Sequence, residues 1–199
     1  MKNQAKVGVL GGSGLYEIKA LRSVRQVTVK TPFGDPSGPV TLGELNGVDC
    51  AFLPRHGLGH VLLPSEIPVR ANIWALKSLG VERLIAVSAV GSLREELAPL
   101  HFVVPDQIVD RTKGRSSTFF GQGVVAHVAF DRPFCAEQSK VVAQQSRSLG
   151  LTNHEGGTYL CMEGPAFSTK ADSEIHRTLG CSIIGMTAIP EAKLAREAE

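Results

Sequence analysis

Apolar and polar positions change period several times along the chain, and each change marks an element. Residues 7–10 are a short apolar run stopping at Gly11-Gly12-Ser13-Gly14. That is the pattern of a buried strand ending in a tight turn. Residues 24–29 alternate apolar and polar, as in a half-buried strand. Residues 31–39 carry three prolines and two glycines and predict a loop. Apolar-rich runs at 40–45 and 48–53 flank Asn46-Gly47. Asn-Gly tolerates the positive φ angles of a type I′ turn, so this stretch predicts a hairpin.

Over 64–80 the period becomes helical. Ile67, Ala71, Trp74, Leu76 and Leu79 predict one apolar face, and Gly80 a left-handed stop. The continuous apolar run at 83–90 predicts a central strand covered on both faces. Further on, the pattern predicts strands at 101–109, 158–162 and 181–186, and helices at 133–150, 169–180 and 190–199. Residues 110–123 predict a polar surface loop. Pro190 suits the first turn of the last helix, where its missing N–H costs nothing. Strands alternating with helices predict an α/β fold of three layers, with a mixed, mostly parallel central sheet flanked by helices. No repeat or linker interrupts it, so one domain is expected over residues 1–199. The last helix runs to Glu199 without the usual stop signals. This predicts a chain cut short, with the fold incomplete at its C-terminus.

Composition narrows the partners. Of 199 residues, 43% are apolar and 20% charged, which is ordinary for a globular domain. The net charge is +2 and the cations are scattered, which argues against nucleic acid or a membrane surface. No apolar run reaches the length of a membrane-spanning helix, and the start lacks a secretory signal pattern. The four cysteines, Cys50, Cys135, Cys161 and Cys181, form no C-x-x-C pair, so neither zinc nor a redox couple is expected. Cys50 and Cys161 sit in apolar runs, as buried thiols do, and a reducing, cytoplasmic setting fits best.

Five segments carry candidate chemistry. In the first, the Gly11–Gly14 turn can converge backbone N–H groups on an anion, with Ser13 adding a hydroxyl. A dinucleotide fingerprint is disfavoured, because Glu17 stands where the third glycine should be. In the second, Arg55-His56-Gly57, the arginine offers a planar fork suited to phosphate, and His56 a further donor. The third, Ser88-Ala89-Val90-Gly91-Ser92, ends the expected central strand, where ligands of open α/β sheets bind. The fourth and fifth are residues 162–169 and 185–191. In these, Phe167 could stack on a planar ring and Met186 could lie along a sugar. Taken singly, each has an ordinary reading as a turn, a solvated loop or core packing.

Together, their order and spacing resemble the trimeric purine nucleoside phosphorylases. Gly11-Gly12-Ser13-Gly14-Leu15, Thr31-Pro32-Phe33-Gly34, Arg55-His56-Gly57, Ala71-Asn72-Ile73-Trp74-Ala75-Leu76, Gly91-Ser92-Leu93, Glu163-Gly164-Pro165 and Pro190-Glu191 match the methylthioadenosine branch of that family. The resemblance covers essentially the whole chain. It implies phosphorolysis of the N-glycosidic bond of 5′-methylthioadenosine, giving adenine and 5-methylthioribose 1-phosphate, in methionine and purine salvage.

The resemblance implies that inorganic phosphate is a co-substrate and that no metal or organic cofactor is used. Phosphate falls to Ser13, Arg55, His56, Ser88 and Thr187. The ribose falls to Met186, and the base to Ala89, Gly91 and Phe167. His127 is expected to reach a neighbouring subunit's site, which implies a homotrimer. Ser168 stands where the branch acting on hypoxanthine and guanine nucleosides has a glutamate. A hydroxyl can donate to adenine N1, whereas a carboxylate accepts the N1–H of a 6-oxopurine. The alternatives are a phosphorylase of inosine, guanosine, adenosine or methylthioinosine, or a catalytically impaired fragment. In the family the leaving base is protonated through a pair of aspartates lying beyond Glu199, so no catalytic acid is assigned within these residues.

Overall fold

The computed structural model describes residues 4–12 and 20–199. Ser13, in the expected phosphate turn, lies outside the described residues. The first half builds a five-stranded sheet. Its strands are β1 (Val7–Gly11), β2 (Arg22–Val27), β3 (Val40–Leu45), β4 (Val48–Pro54) and β5 (Arg83–Val87), in the order β2-β3-β4-β1-β5. β1 is parallel to both β4 and β5, while β2, β3 and β4 form an antiparallel meander. The Asn46-Gly47 hairpin is as expected: both residues have positive φ, and Leu45 faces Val48 across the turn.

α1 (Val69–Ser78) packs on this sheet and, after Leu79, stops at Gly80 with φ +98. Its core face carries Ala71, Ile73 and Leu76. Ile73 is 3% exposed, whereas Trp74 is only half-buried. The face expected through Trp74 is therefore turned by one residue, because smaller side chains fit against Leu10, Leu53 and Leu42 in one cluster.

The second half builds a four-stranded sheet from β6 (Gly91–Ser92), β8 (Gln107–Arg111), β10 (Thr158–Met162) and β11 (Cys181–Gly185), in the order β6-β11-β10-β8. β10 runs parallel to β8 and β11. A small parallel pair joins β7 (Phe102–Val104) to β9 (Asn153–Glu155). The remaining helices are α2 (Ala136–Ser148), α3 (Lys170–Thr178) and α4 (Ala188–Glu197). Thr169 caps α3 through a reciprocal box with Asp172, satisfying two N-terminal N–H groups. Backbone angles at Ile189 are non-helical, so the regular part of α4 begins at Pro190, as expected.

The mostly parallel α/β plan is present, but hydrogen bonding divides the strands into separate sheets. Three local expectations differ. The strand expected over 101–109 is two strands, because Pro105, which has no N–H, falls between β7 and β8. β9 was not expected, since Asn153–Glu155 has no apolar pattern. β5 is not doubly covered. It pairs only with β1 among the described residues, and Ala86 and Val87 are exposed. An apolar run reports what can be buried, not what covers it.

The connection from β5 to β6 crosses between sheets. The chain leaves the first sheet at Val87 and joins the second at Gly91, beside Ile184. A Cβ on Gly91 would sit 3.0 Å from the Ile184 side chain, so the crossing is tight and a glycine fits it without displacing that neighbour. Residues 88–90 thus bridge the gap where a cavity opens.

Candidate functional site

Three parallel strands end side by side. Gly11 lies opposite Pro54 on one side and Val87 on the other. The Arg55 N–H donates to the Gly11 carbonyl at 2.9 Å, continuing the ladder one residue past β4. Across the crossing, Cys161 of β10 lies opposite Gly185 of β11. These carboxyl ends enclose a cavity of about 790 Å³. Ligands of open α/β sheets settle at such an edge, and the volume suits a small organic molecule.

The cavity collects most of the expected residues. Arg55, His56, Ser88 and Thr187 lie on its wall, as does Gly12, the last described residue before Ser13. Ala89, Gly91, Phe167, Ser168 and Met186 line it as well. His127 does not line it. It sits in a segment without regular structure, exposed beside Val124, Val125 and Val128.

Arg55 is 1% exposed. Its Nε and Nη2 donate to the two Glu191 carboxylate oxygens at 2.5 and 3.1 Å. Nη2 also donates to the Leu10 carbonyl at 3.1 Å, and Nη1 to the Val87 carbonyl at 2.8 Å. One guanidinium thus ties the ends of β1 and β5 to α4. The open fork expected from sequence holds a carboxylate here. Burial pushes the Glu191 pKa up, and the Arg55 and Arg115 guanidiniums pull it down. Both Glu191 oxygens accept from Arg55, which is the geometry of an ionised pair.

His56 is also buried. Its Nδ1 lies 2.8 Å from the Leu62 carbonyl. A carbonyl only accepts, so Nδ1 carries a proton, and in the neutral ring Nε2 is a bare acceptor. Burial lowers the His56 pKa, the Leu62 carbonyl opposes this, and His60 and Arg55 lower it further. Neutral His56 therefore offers a lone pair rather than the donor expected from sequence. That pairing suits the one P–O–H of monohydrogen phosphate. His60 stacks on His56, with ring centroids 4.1 Å apart and planes at 13°. The chain folds back for this through positive φ at Gly57 and Gly59.

Beneath the Ser88 and Thr187 hydroxyls lies Tyr159, 4% exposed. A Cβ on Gly185 would meet its hydroxyl at 1.9 Å, so the phenol fits only under a glycine. Burial raises its pKa, and the facing Thr187 and Ser88 groups moderate this. The Tyr159 hydroxyl nonetheless completes no hydrogen bond among the described residues. On the far wall, Ser168 donates to the Met162 sulfur at 3.7 Å, and Phe167 is 88% exposed. Cys161, beneath the floor, is an inert buried thiol, pushed up to about 11 by burial.

Sequence reading missed Glu191 as the partner of Arg55, His60 as a wall residue, and Tyr159 as the floor. The histidine spacing in Arg55-His56-Gly57-Leu58-Gly59-His60 was a signal for the second. For Glu191, 136 positions from Arg55, no local signal exists.

Both the sequence and the fold are similar to those of known proteins. An S-methyl-5′-thioadenosine phosphorylase from Chloroflexus aurantiacus is 61% identical over 99% of this chain and 69% of its own length. The structure of a methylthioadenosine phosphorylase from an antarctic soil metagenomic library superposes with a TM-score of 0.95 at 53% identity. That match covers 98% of this chain and 69% of the other. A methylthioadenosine phosphorylase from Schistosoma mansoni, solved in complex with adenine, superposes with a TM-score of 0.93 at 39% identity. It covers 98% of this chain and 78% of the other. Residues 6–199 match the Phosphorylase superfamily, from the first strand to the last helix. The chain belongs to the phosphorylase superfamily.

Proposed function

We propose that this protein phosphorolyses 5′-methylthioadenosine, releasing adenine and 5-methylthioribose 1-phosphate. The observation that carries this reading is the convergence of Arg55, His56, Ser88 and Thr187 on one cavity that Met186, Phe167 and Ser168 also line. The first group suits an inorganic anion and the second a purine on a sugar. The names of the relatives, and the adenine bound to the Schistosoma mansoni protein, support the same choice.

In this reading the C1′–N9 bond breaks and a C1′–O bond to phosphate forms, through a sugar with oxocarbenium character. Phosphate is both the nucleophile and the charge that stabilises this sugar. The protein holds it in line and neutralises its remote oxygens. Ser88 and Thr187 donate hydroxyl protons, and His56 Nε2 accepts the phosphate's own. Arg55, paired with Glu191, braces the strand ends behind these groups, with Ser13 completing the seat. Met186 supports the ribose. Ala89, Gly91 and Phe167 flank the base, and Ser168 donates toward adenine N1. The proton that adenine takes at N7 is assigned to no residue of 1–199.

Residues 1–199 act as one domain in this reading, and no metal or organic cofactor takes part. A homotrimer is supported by His127, exposed among apolar neighbours where a second copy could receive it. Four free cysteines support a reducing, cytoplasmic setting. Among the described residues, no helix is long and apolar enough to cross a membrane.

The test is base release from methylthioadenosine, inosine and adenosine at fixed phosphate. Methylthioadenosine should react fastest, with no release when phosphate is withheld. Faster release from inosine would transfer the assignment to 6-oxopurines, and release without phosphate would mean hydrolysis.

A further inference from the structure

The mechanism above leaves one buried cation unused. Arg115 lies in the segment after β8 that its polarity marked as a surface loop, yet its side chain is only 6% exposed. Nε donates to the Glu163 carboxylate at 3.1 and 3.2 Å. Nη1 donates to the carbonyls of Met186 and Ile189 at 2.7 and 2.8 Å. Nη2 donates to the carbonyls of Glu163 and Met162 at 2.5 and 3.5 Å. A guanidinium has five N–H donors, and here each has a protein acceptor. Arg115 therefore has no donor to offer a ligand.

Its partners share a position. Met162 ends β10 and Glu163 follows it, Met186 follows β11, and Ile189 is the non-helical residue near the start of α4. These are the two loops that present Met186 and Thr187 on one side, and Phe167 and Ser168 on the other. The loops press closely together, since a Cβ on Gly164 would lie 2.6 Å from the Met186 sulfur. Glu163 also accepts from the Lys113 N–H at 2.7 Å, so the carboxylate fixes the segment that carries Arg115.

We infer that Arg115, oriented by Glu163, is a positioning residue that sets the spacing between the ribose platform at Met186 and the base wall at Phe167 and Ser168. This rests on the phosphorolysis reading above. Carbonyls held by one rigid fork move together or not at all, and a small displacement of a sugar platform is costly in rate.

The test compares wild type with Arg115→Met, Arg115→Ala and Glu163→Gln. Arg115→Met should raise the nucleoside KM roughly tenfold and lower kcat, with the phosphate KM within about threefold. Glu163→Gln keeps the shape of the side chain and should move the nucleoside KM in the same direction by about threefold. Millimolar guanidinium should restore part of the activity of Arg115→Ala, entering by the cavity of about 250 Å³ that Arg115 lines. Hydrogen exchange should quicken together in segments 160–168 and 184–190 of Arg115→Met, and stay unchanged in 50–56.

A fall in kcat with both KM values unchanged would mean a smaller folded fraction and would overturn the inference. So would an equal rise in both KM values, or unchanged exchange in the two loops. If wild type itself releases no base from any of the three nucleosides, the functional reading falls, and the exchange pattern alone decides the role of Arg115.

Discussion

At the ends of β1, β4 and β5 the cavity wall is closed: Arg55 is 1% exposed and Glu191 3%, and His56 is held by the Leu62 carbonyl. Beyond β10 the opposite wall is open, and Phe167 stands 88% exposed. The closed side handles charge and the open side handles apolar surface. A buried cation and its carboxylate must be fixed before the ligand arrives, because moving charged groups in a low dielectric costs energy at the moment of reaction. An aromatic ring that stacks on a base needs no such scaffold, and its contact forms with the ligand. The two sides should therefore fail differently when altered: the closed one through stability and phosphate, the open one through nucleoside alone.

The sharpest break is Glu191→Gln. It leaves the Arg55 charge buried without its counter-ion, at a cost of about 3–5 kcal/mol. Urea denaturation should show that loss, and the phosphate KM should rise in whatever remains folded. A loss below about 1 kcal/mol, within the range of an exposed ion pair, would mean the closed side is not braced as described.

Phe167→Ala should act in the opposite way. Base–aromatic stacking contributes about 1 kcal/mol or more, so the nucleoside KM should rise roughly fivefold. Denaturation should shift by less than about 0.5 kcal/mol, as for most exposed substitutions. A large stability loss would show that the open side is packed in the free protein.

The smallest effect concerns pH. Folding lowers the His56 pKa from its ordinary 6.5, chiefly by burial, with the charges of His60 and Arg55 adding to it. The unfolded chain then binds that proton more readily, so this contribution is intact above 6.5 and is lost as pH falls through the folded value. Thermal midpoints of wild type should fall on acidification below about 6.5, more steeply than those of His56→Gln. Parallel slopes would remove His56 from the closed side.

What was legible in the sequence follows the same division. The Asn46-Gly47 turn, the Gly80 stop and the Pro190 start depend on backbone sterics at one or two residues, and each stands as read. The cavity residues were legible through the resemblance of their motifs to a known family, and strand ends beside glycines alone would have left each with an ordinary reading. The pairing of β7 with β9 was not, since Asn153–Glu155 is polar and owes its strand to a neighbour. The exposure of Ala86 and Val87 on β5 was not legible either, because an apolar run does not name its partners.

By itself the sequence determined the α/β order of elements and the residue types that line the cavity, because these rest on short-range sterics and on motifs carried by each side chain's own chemistry. Only the tertiary structure decided what those side chains do. It gave the Arg55 fork to Glu191, turned His56 into an acceptor, slid Tyr159 under Gly185, and drew Arg115 inward from a polar segment to five acceptors on two loops. The physical reason is that a buried polar group must find its partner wherever the fold places one. Across 136 residues, that partner is set by packing and not by spacing.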